Sequence, residues 1–280
     1  MRTPGAPLPI AIAAALLLVG AGCSSGSRGL APASPSATVS APSTPAFMPS
    51  PPEPIPSVST AAEGVPTAAL PLASATVVYH GDTSRRMVAL TFDAGADAGY
   101  TGEILDTLRH EGVRATFGIT GLWAEGNRDL LLAITADGHA LTNHSYNHAS
   151  FTGLSTEKPP LTADERALEL SRTETSVYYL SQRTTRPYFR PPFGDLDASV
   201  ERDAGAAGYS TIVMWTVDSQ GWNHASADQI VARCLAQASP GAIYVMHVGS
   251  ESQDAAALPR VITGLRDAGY SFGTIDEVLE

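Results

Sequence analysis

The chain has 280 residues, with 17 Lys and Arg against 28 Asp and Glu, a formal net charge of −11 and two cysteines. So acidic a balance excludes nucleic acid and anionic lipid as electrostatic partners, while leaving an uncharged glycan open as a substrate. Two cysteines exclude a disulfide framework.

The charge is unevenly spread. Residues 1–76 hold 14 of the 21 prolines and only four charged residues, Arg2, Arg28, Glu53 and Glu63. Arg2 followed by the short apolar run Ile10 to Val19 reads as an export signal, too short to span a membrane comfortably. Gly20-Ala21-Gly22-Cys23 resembles a bacterial lipobox, with Gly20 where an aliphatic residue is usual. Residues 1–22 are therefore expected to be a signal peptide and Cys23 a lipidated N-terminus. Residues 23–76 are rich in Ser, Pro and Ala. They cannot bury enough surface to offset their ordering entropy, and read as a disordered tether. Roughly 200 residues remain, enough for one well-buried domain, 77–280.

From residue 77 short apolar runs alternate with amphipathic stretches. Strands are expected at 77–79, 88–92, 115–120, 140–143, 188–190, 211–217 and 242–247, and helices at 99–112, 127–137, 163–184, 197–208, 226–238 and 256–268. This alternation predicts a parallel α/β fold of about seven strands, either an open doubly wound sheet or a barrel. Cys234 lies in the apolar pattern of the 226–238 helix and reads as a buried thiol.

Chemically capable side chains fall at the C-terminal ends of these strands: Asp93, His144 and His148, Arg190, Asp218, His247. In parallel α/β folds those ends form the site-bearing face. His144 and His148 in NHSYNHAS are four apart, so on a helical turn both imidazoles reach one metal. In FRPPFG the two prolines remove donors after Arg190, leaving the amides of Phe193 and Gly194 as the first available. Asp218 in MWTVDSQGW lies between two tryptophans, able to orient an imidazole or contact a sugar. His247 ends a strongly apolar strand, where a tuned imidazole suits general acid work.

Together these segments resemble the polysaccharide deacetylase family, the carbohydrate esterases with the NodB homology domain. TFDAG (91–95) is similar to the family's TFDDG, HSYNH to its HSxxH, RPPF to its arginine-proline-aromatic motif, DSQGW to its DSxDW and VMH to its LxH. The resemblance covers about residues 77–280. It implies a distorted (β/α) barrel and metal-assisted removal of N- or O-acetyl groups from a glycan. The lipobox and tether point to the outer face of the cytoplasmic membrane or the cell wall and to a cell-envelope substrate, peptidoglycan first, and the chain is expected to be a monomer. Residue by residue the resemblance implies Asp93 as general base, His144 and His148 as metal ligands and Arg190 as the residue orienting the base. It implies the Phe193 N–H at the oxyanion, Trp222 beside the substrate and His247 as general acid. Two imidazoles favour zinc.

Two positions depart from the pattern. Ala94 stands where the family has the third metal ligand, and Gly221 where many members have Asp. Either Asp97 supplies the missing carboxylate by a fold-back of the 94–96 loop, or water fills the place, or no metal binds. Two rival readings follow: a non-catalytic glycan-binding lipoprotein on the same fold, and a metal-independent amide hydrolase acting on a small cyclic substrate.

Overall fold

The computed structural model describes residues 74–95 and 97–280. The expected signal peptide, Cys23 and the tether as far as residue 73 lie outside the described residues. In chain order the elements are β1 (Thr76–Val78), β2 (Met87–Ala94), α1 (Thr101–Glu111), β3 (Thr116–Ile119), α2 (Gly121–Gly126), α3 (Arg128–Ala136), β4 (Ala140–Asn143), α4 (Ala163–Ser181), β5 (Tyr188–Phe189), α5 (Ala198–Ala206), β6 (Thr211–Val213), β7 (Val217–Asp218), α6 (Ala227–Ala236), β8 (Ile243–His247), α7 (Asp254–Asp267), β9 (Ser271–Gly273) and α8 (Ile275–Leu279). The fold begins slightly before the sequence expectation. Ala75, assigned to the tether, is buried and donates its N–H to the Glu201 carbonyl at 3.0 Å.

The strands form one sheet in the order β1-β6-β5-β4-β3-β2-β8-β7, with β9 added beside β2, and every named strand pair is parallel. The stretch 211–217, expected as one strand, is two. β6 and β7 lie near opposite ends of this order, six strand spacings or about 29 Å apart if the sheet were flat. The chain from Val213 to Val217 reaches at most about 14 Å. The sheet must therefore curl on itself, and the break falls at the seam. Met214 N–H there donates to the Val78 carbonyl (2.8 Å) and Thr216 N–H to that of Ile243 (2.9 Å), so the two residues tie opposite edges together. The result is the expected distorted barrel, with nine strands among the described residues where about seven were expected.

β2 shows why its sequence is apolar nearly throughout. Val88, Leu90, Phe92 and Ala94 belong to the large cluster shared with Ile104, Leu108, Val261 and Leu265 of the surrounding helices. Ala89 joins Val213, Ile243, Ile275 and Val278 in a smaller one. Both faces are buried, as in parallel sheets generally. The smaller cluster brings α8 against the barrel, with Ile275 N–H donating to Thr116 Oγ1 at the start of β3 (2.9 Å). This closes the N-terminal end of the strands and leaves the C-terminal end for chemistry. Cys234 is fully buried in α6, where burial pushes its thiol up to about 12, so it is no nucleophile.

His139 braces the entry to β4. Its Nδ1 accepts the Ala115 N–H at 3.1 Å, which requires the neutral ring, and its Nε2 is buried without a partner among the described residues. Burial, opposed mainly by Asp137, pushes its pKa down to about 4. The unfolded chain binds this proton below about 6.5 and the folded chain does not. Stability is therefore expected to fall as pH drops from 6.5 to 4, by about 2–3 kcal/mol from this residue. Urea midpoints across that range test it. His139→Gln keeps an acceptor without a titrating group and should flatten the slope.

Candidate active site

The strand register places the first two groups. Asp93 and His247 are partners across β2 and β8, and Asp93 faces Gly118 across β2 and β3. A Cβ at Gly118 would overlap Asp93 Oδ1, so only glycine leaves room for this carboxylate.

Arg190 follows β5 and is wholly buried. Its Nη1 donates to Asp93 Oδ1 and to Thr91 Oγ1, both at 2.8 Å, and its Nε donates to the Val213 carbonyl at 2.9 Å. The guanidinium thus fixes Asp93 through one oxygen and leaves Oδ2 free toward His144 Nε2, 3.7 Å away. Burial alone would raise the Asp93 pKa. The Arg190 charge, helped by His247, outweighs it and holds the carboxyl below its ordinary value.

His144 and His148 come together, but not on a helical turn as expected. Residues 144–150 form a loop in which Ser145 and His148 have left-handed backbones, with φ of 65° and 62°. The loop is held from beneath. Asn143 Oδ1 accepts from Ser145 N–H (2.9 Å), and Glu169 Oε2 from Tyr146 and Asn147 N–H (2.9 and 3.0 Å). The two rings meet edge to face with centroids 4.9 Å apart. His144 Nδ1 donates to the Arg190 carbonyl at 2.8 Å, which sets the tautomer and leaves Nε2 with its lone pair. Burial keeps both rings neutral, His148 down to about 3 with the neighbouring His144 adding to the effect.

A cavity of about 270 Å³ opens here, lined by Asp93, Asp97, His144, His148, Trp222 and His247 among others. The His247 pKa is raised. Burial opposes protonation, and the Asp254 carboxylate followed by that of Asp93 overcomes it. Trp222 is 55% exposed at the rim. Phe193 has a left-handed backbone (φ 62°) and stacks its ring edgewise on His148 with centroids 4.7 Å apart.

Two expected carboxylates are engaged elsewhere. Asp97 accepts from Ser250, from its N–H at 3.0 Å and its Oγ at 2.5 Å. Among the described residues no group of three His, Cys, Asp or Glu is placed to hold a metal. Asp97 thus lines the cavity without joining the two imidazoles. Asp218 is held by its own turn, accepting from Gln220 N–H (2.8 Å), Gln220 Nε2 (2.7 Å) and Trp222 Nε1 (3.2 Å), and is not among the cavity residues. It braces Trp222 and does not reach His247. Ala94 is fully buried in the large apolar cluster. Two neutral imidazoles are the donors this site offers a divalent cation, one fewer than the three protein ligands usual at catalytic zinc.

Sequence reading missed Glu169 and Asp254. Glu169 sits mid-helix in α4 without a motif around it. Asp254 lay just outside the helix expected at 256–268, whereas α7 begins at Asp254 itself.

Residues 80–212 match the family model for polysaccharide deacetylases. The peptidoglycan-N-acetylmuramic acid deacetylase PdaA of Bacillus subtilis is 33% identical over 204 residues, covering 72% of this chain and 74% of the relative. A peptidoglycan-N-acetylglucosamine deacetylase of Bacillus cereus is 31% identical over 206 residues, covering 72% and 92%. The structure of wild-type BA3943 from Bacillus anthracis, described as a CE4 family pseudoenzyme, superposes with a TM-score of 0.66 at 31% identity, covering 74% of this chain and 70% of that one. The chain belongs to the polysaccharide deacetylase family.

Proposed function

We infer that the chain hydrolyses N-acetyl groups from a cell-envelope glycan, peptidoglycan first. The observation that carries this reading is the placement of Asp93 in the cavity wall, paired with the buried Arg190. Arg190 holds it through Oδ1, its Oδ2 faces the cavity, and His247 is its register neighbour. The relatives named for peptidoglycan deacetylation support the substrate class.

In this reading His144 and His148 hold a divalent cation, zinc by the preference of imidazole nitrogen. When bound, such an ion supplies Lewis-acid polarisation of the acetyl carbonyl. Asp93 Oδ2 takes the proton of the attacking water. His247, whose pKa Asp254 and Asp93 raise, gives its proton to the leaving amine. The Phe193 N–H is the candidate donor to the developing oxyanion, and Trp222 offers a ring face to a sugar. We place the folded domain from Ala75 to the last residue, behind a signal peptide (1–22) and a tether (from 23 up to the buried Ala75) anchored through a lipid on Cys23. Among the described residues no helix is long and apolar enough to cross a membrane.

Zinc content and acetate release from N-acetylated chito-oligosaccharides and peptidoglycan test the reading. The chain is expected to bind zinc and release acetate. Chelation should stop turnover and added zinc restore it, while His144→Ala/His148→Ala should lose both binding and turnover. Ala94 and the likeness to a pseudoenzyme favour a second reading, glycan binding without hydrolysis. Absence of zinc and acetate in the unmodified chain, with both gained in Ala94→Asp, would establish that second reading.

A further inference from the structure

Asp254 opens α7 and is fully buried. Its Oδ2 accepts from His247 N–H (2.8 Å), Ser252 Oγ (2.9 Å) and Ser219 Oγ (3.1 Å). Three neutral donors do not balance a buried carboxylate's charge. Among the described residues, its one ion-pair contact is His247 Nδ1, 3.7 Å from Oδ2. His247 Nδ1 and Asp254 Oδ1 are also both buried without hydrogen-bond partners among the described residues. The two groups are already 3.7 Å apart, and the unpartnered atoms are complementary, a ring nitrogen and a carboxylate oxygen. A loop cap alone would leave no orphaned imidazole nitrogen beside it.

The seat of this carboxylate is set by a glycine. A Cβ at Gly221 would overlap both Asp254 Oδ2 and Ser252 Oγ. The Gly221 backbone has negative φ, so the requirement is for space and not for conformation. Any side chain at 221 would expel Asp254. An aspartate there would put a carboxylate in nearly the same place, reached from the turn after β7 instead of from α7.

We propose that Asp254 is the positioning residue of His247. Its carboxylate, seated in the space that Gly221 leaves open, holds the imidazole by Nδ1 and presents Nε2 to the cavity. Positions 221 and 254 are alternative origins for one carboxylate. The effect on turnover rests on the deacetylase reading, while the pairing itself does not. Asp93 from β2 and Asp218 from β7 are the other acids whose charge favours the protonated His247.

Asp254→Asn keeps the shape and an acceptor oxygen but removes the charge. NMR titration of the His247 ring, with kcat and KM for acetate release, reads the result. The variant is expected to stay folded and His247 to lose its proton at lower pH than in the unmodified chain. The expected kcat is about tenfold to hundredfold lower, within the range general acid catalysis contributes, with KM little changed. An unmoved His247 titration in the folded variant overturns the proposal, whatever happens to turnover. A shifted titration in a chain that releases no acetate sustains the pairing and removes the deacetylase reading. Should Asp254→Asn not fold, Gly221→Asp/Ser252→Ala/Asp254→Ala returns the carboxylate from the other side. Restored wild-type His247 titration upholds the proposal; a folded triple variant in which His247 titrates as an unpaired imidazole overturns it.

Discussion

Asp93→Asn is expected to reduce kcat for acetate release by about 10³-fold, the middle of the range attributed to a positioned base. The amide keeps the volume and offers an oxygen to Arg190 Nη1, so the substitution removes basicity with the least disturbance of shape. It also leaves the buried Arg190 charge without its counter-ion, an effect of about 3–5 kcal/mol where a buried pair is broken. Kinetics and thermal unfolding should therefore be measured together. Near-wild-type turnover in a folded Asp93→Asn chain would remove Asp93 as the base. Asp97→Asn is the companion control. Its carboxylate is engaged by Ser250, so turnover should change little.

Arg190→Met is expected to be the most destabilising change at the site. The side chain is fully buried and joins three strands, through Thr91 and Asp93 of β2, the carbonyl of Val213 in β6, and its own place after β5. Stranding Asp93 should cost about 3–5 kcal/mol, roughly 6–20 °C in Tm for a domain of this size. The pH dependence has a definite sign. Asp93 has a folded pKa below its unfolded value. The pair therefore contributes fully above the ordinary aspartate pKa and is lost as pH falls through the depressed one. Without the guanidinium, burial dominates and the Asp93 pKa rises. The acid limb of kcat/KM should then move to higher pH in whatever Arg190→Met protein remains folded. An unmoved limb would mean Arg190 does not set the charge state of the base.

Much of this arrangement was legible from sequence because it follows from strand register. Asp93, Arg190 and His247 each end an apolar run, and parallel pairing carries such ends to one rim. The loop geometry was not legible. His144 and His148 were expected to meet on a helical turn, but two left-handed residues and the Glu169 clamp bring them together. Nothing local in HSYNH announces a partner in α4. Asp218 was read as a site carboxylate from its neighbouring tryptophans, yet a side chain two residues before an amide is well placed to cap its own turn, and it does so with Gln220. The stretch 211–217 was apolar enough for one strand. Only the closure of the barrel, a non-local fact, divides it.

The closure also bears on biosynthesis. Thr91 of β2 hydrogen-bonds the carbonyl of Tyr244, 153 residues further along, and Arg86 at the edge of β2 meets Ser271 at a separation of 185. During synthesis β2 and β3 emerge early, but one side of β2 stays unpaired until β8 and β9 have been made. Contacts of such range form slowly. A chain emerging from the ribosome therefore remains threadable for most of its translation. Its site assembles only after that far side of the barrel has arrived.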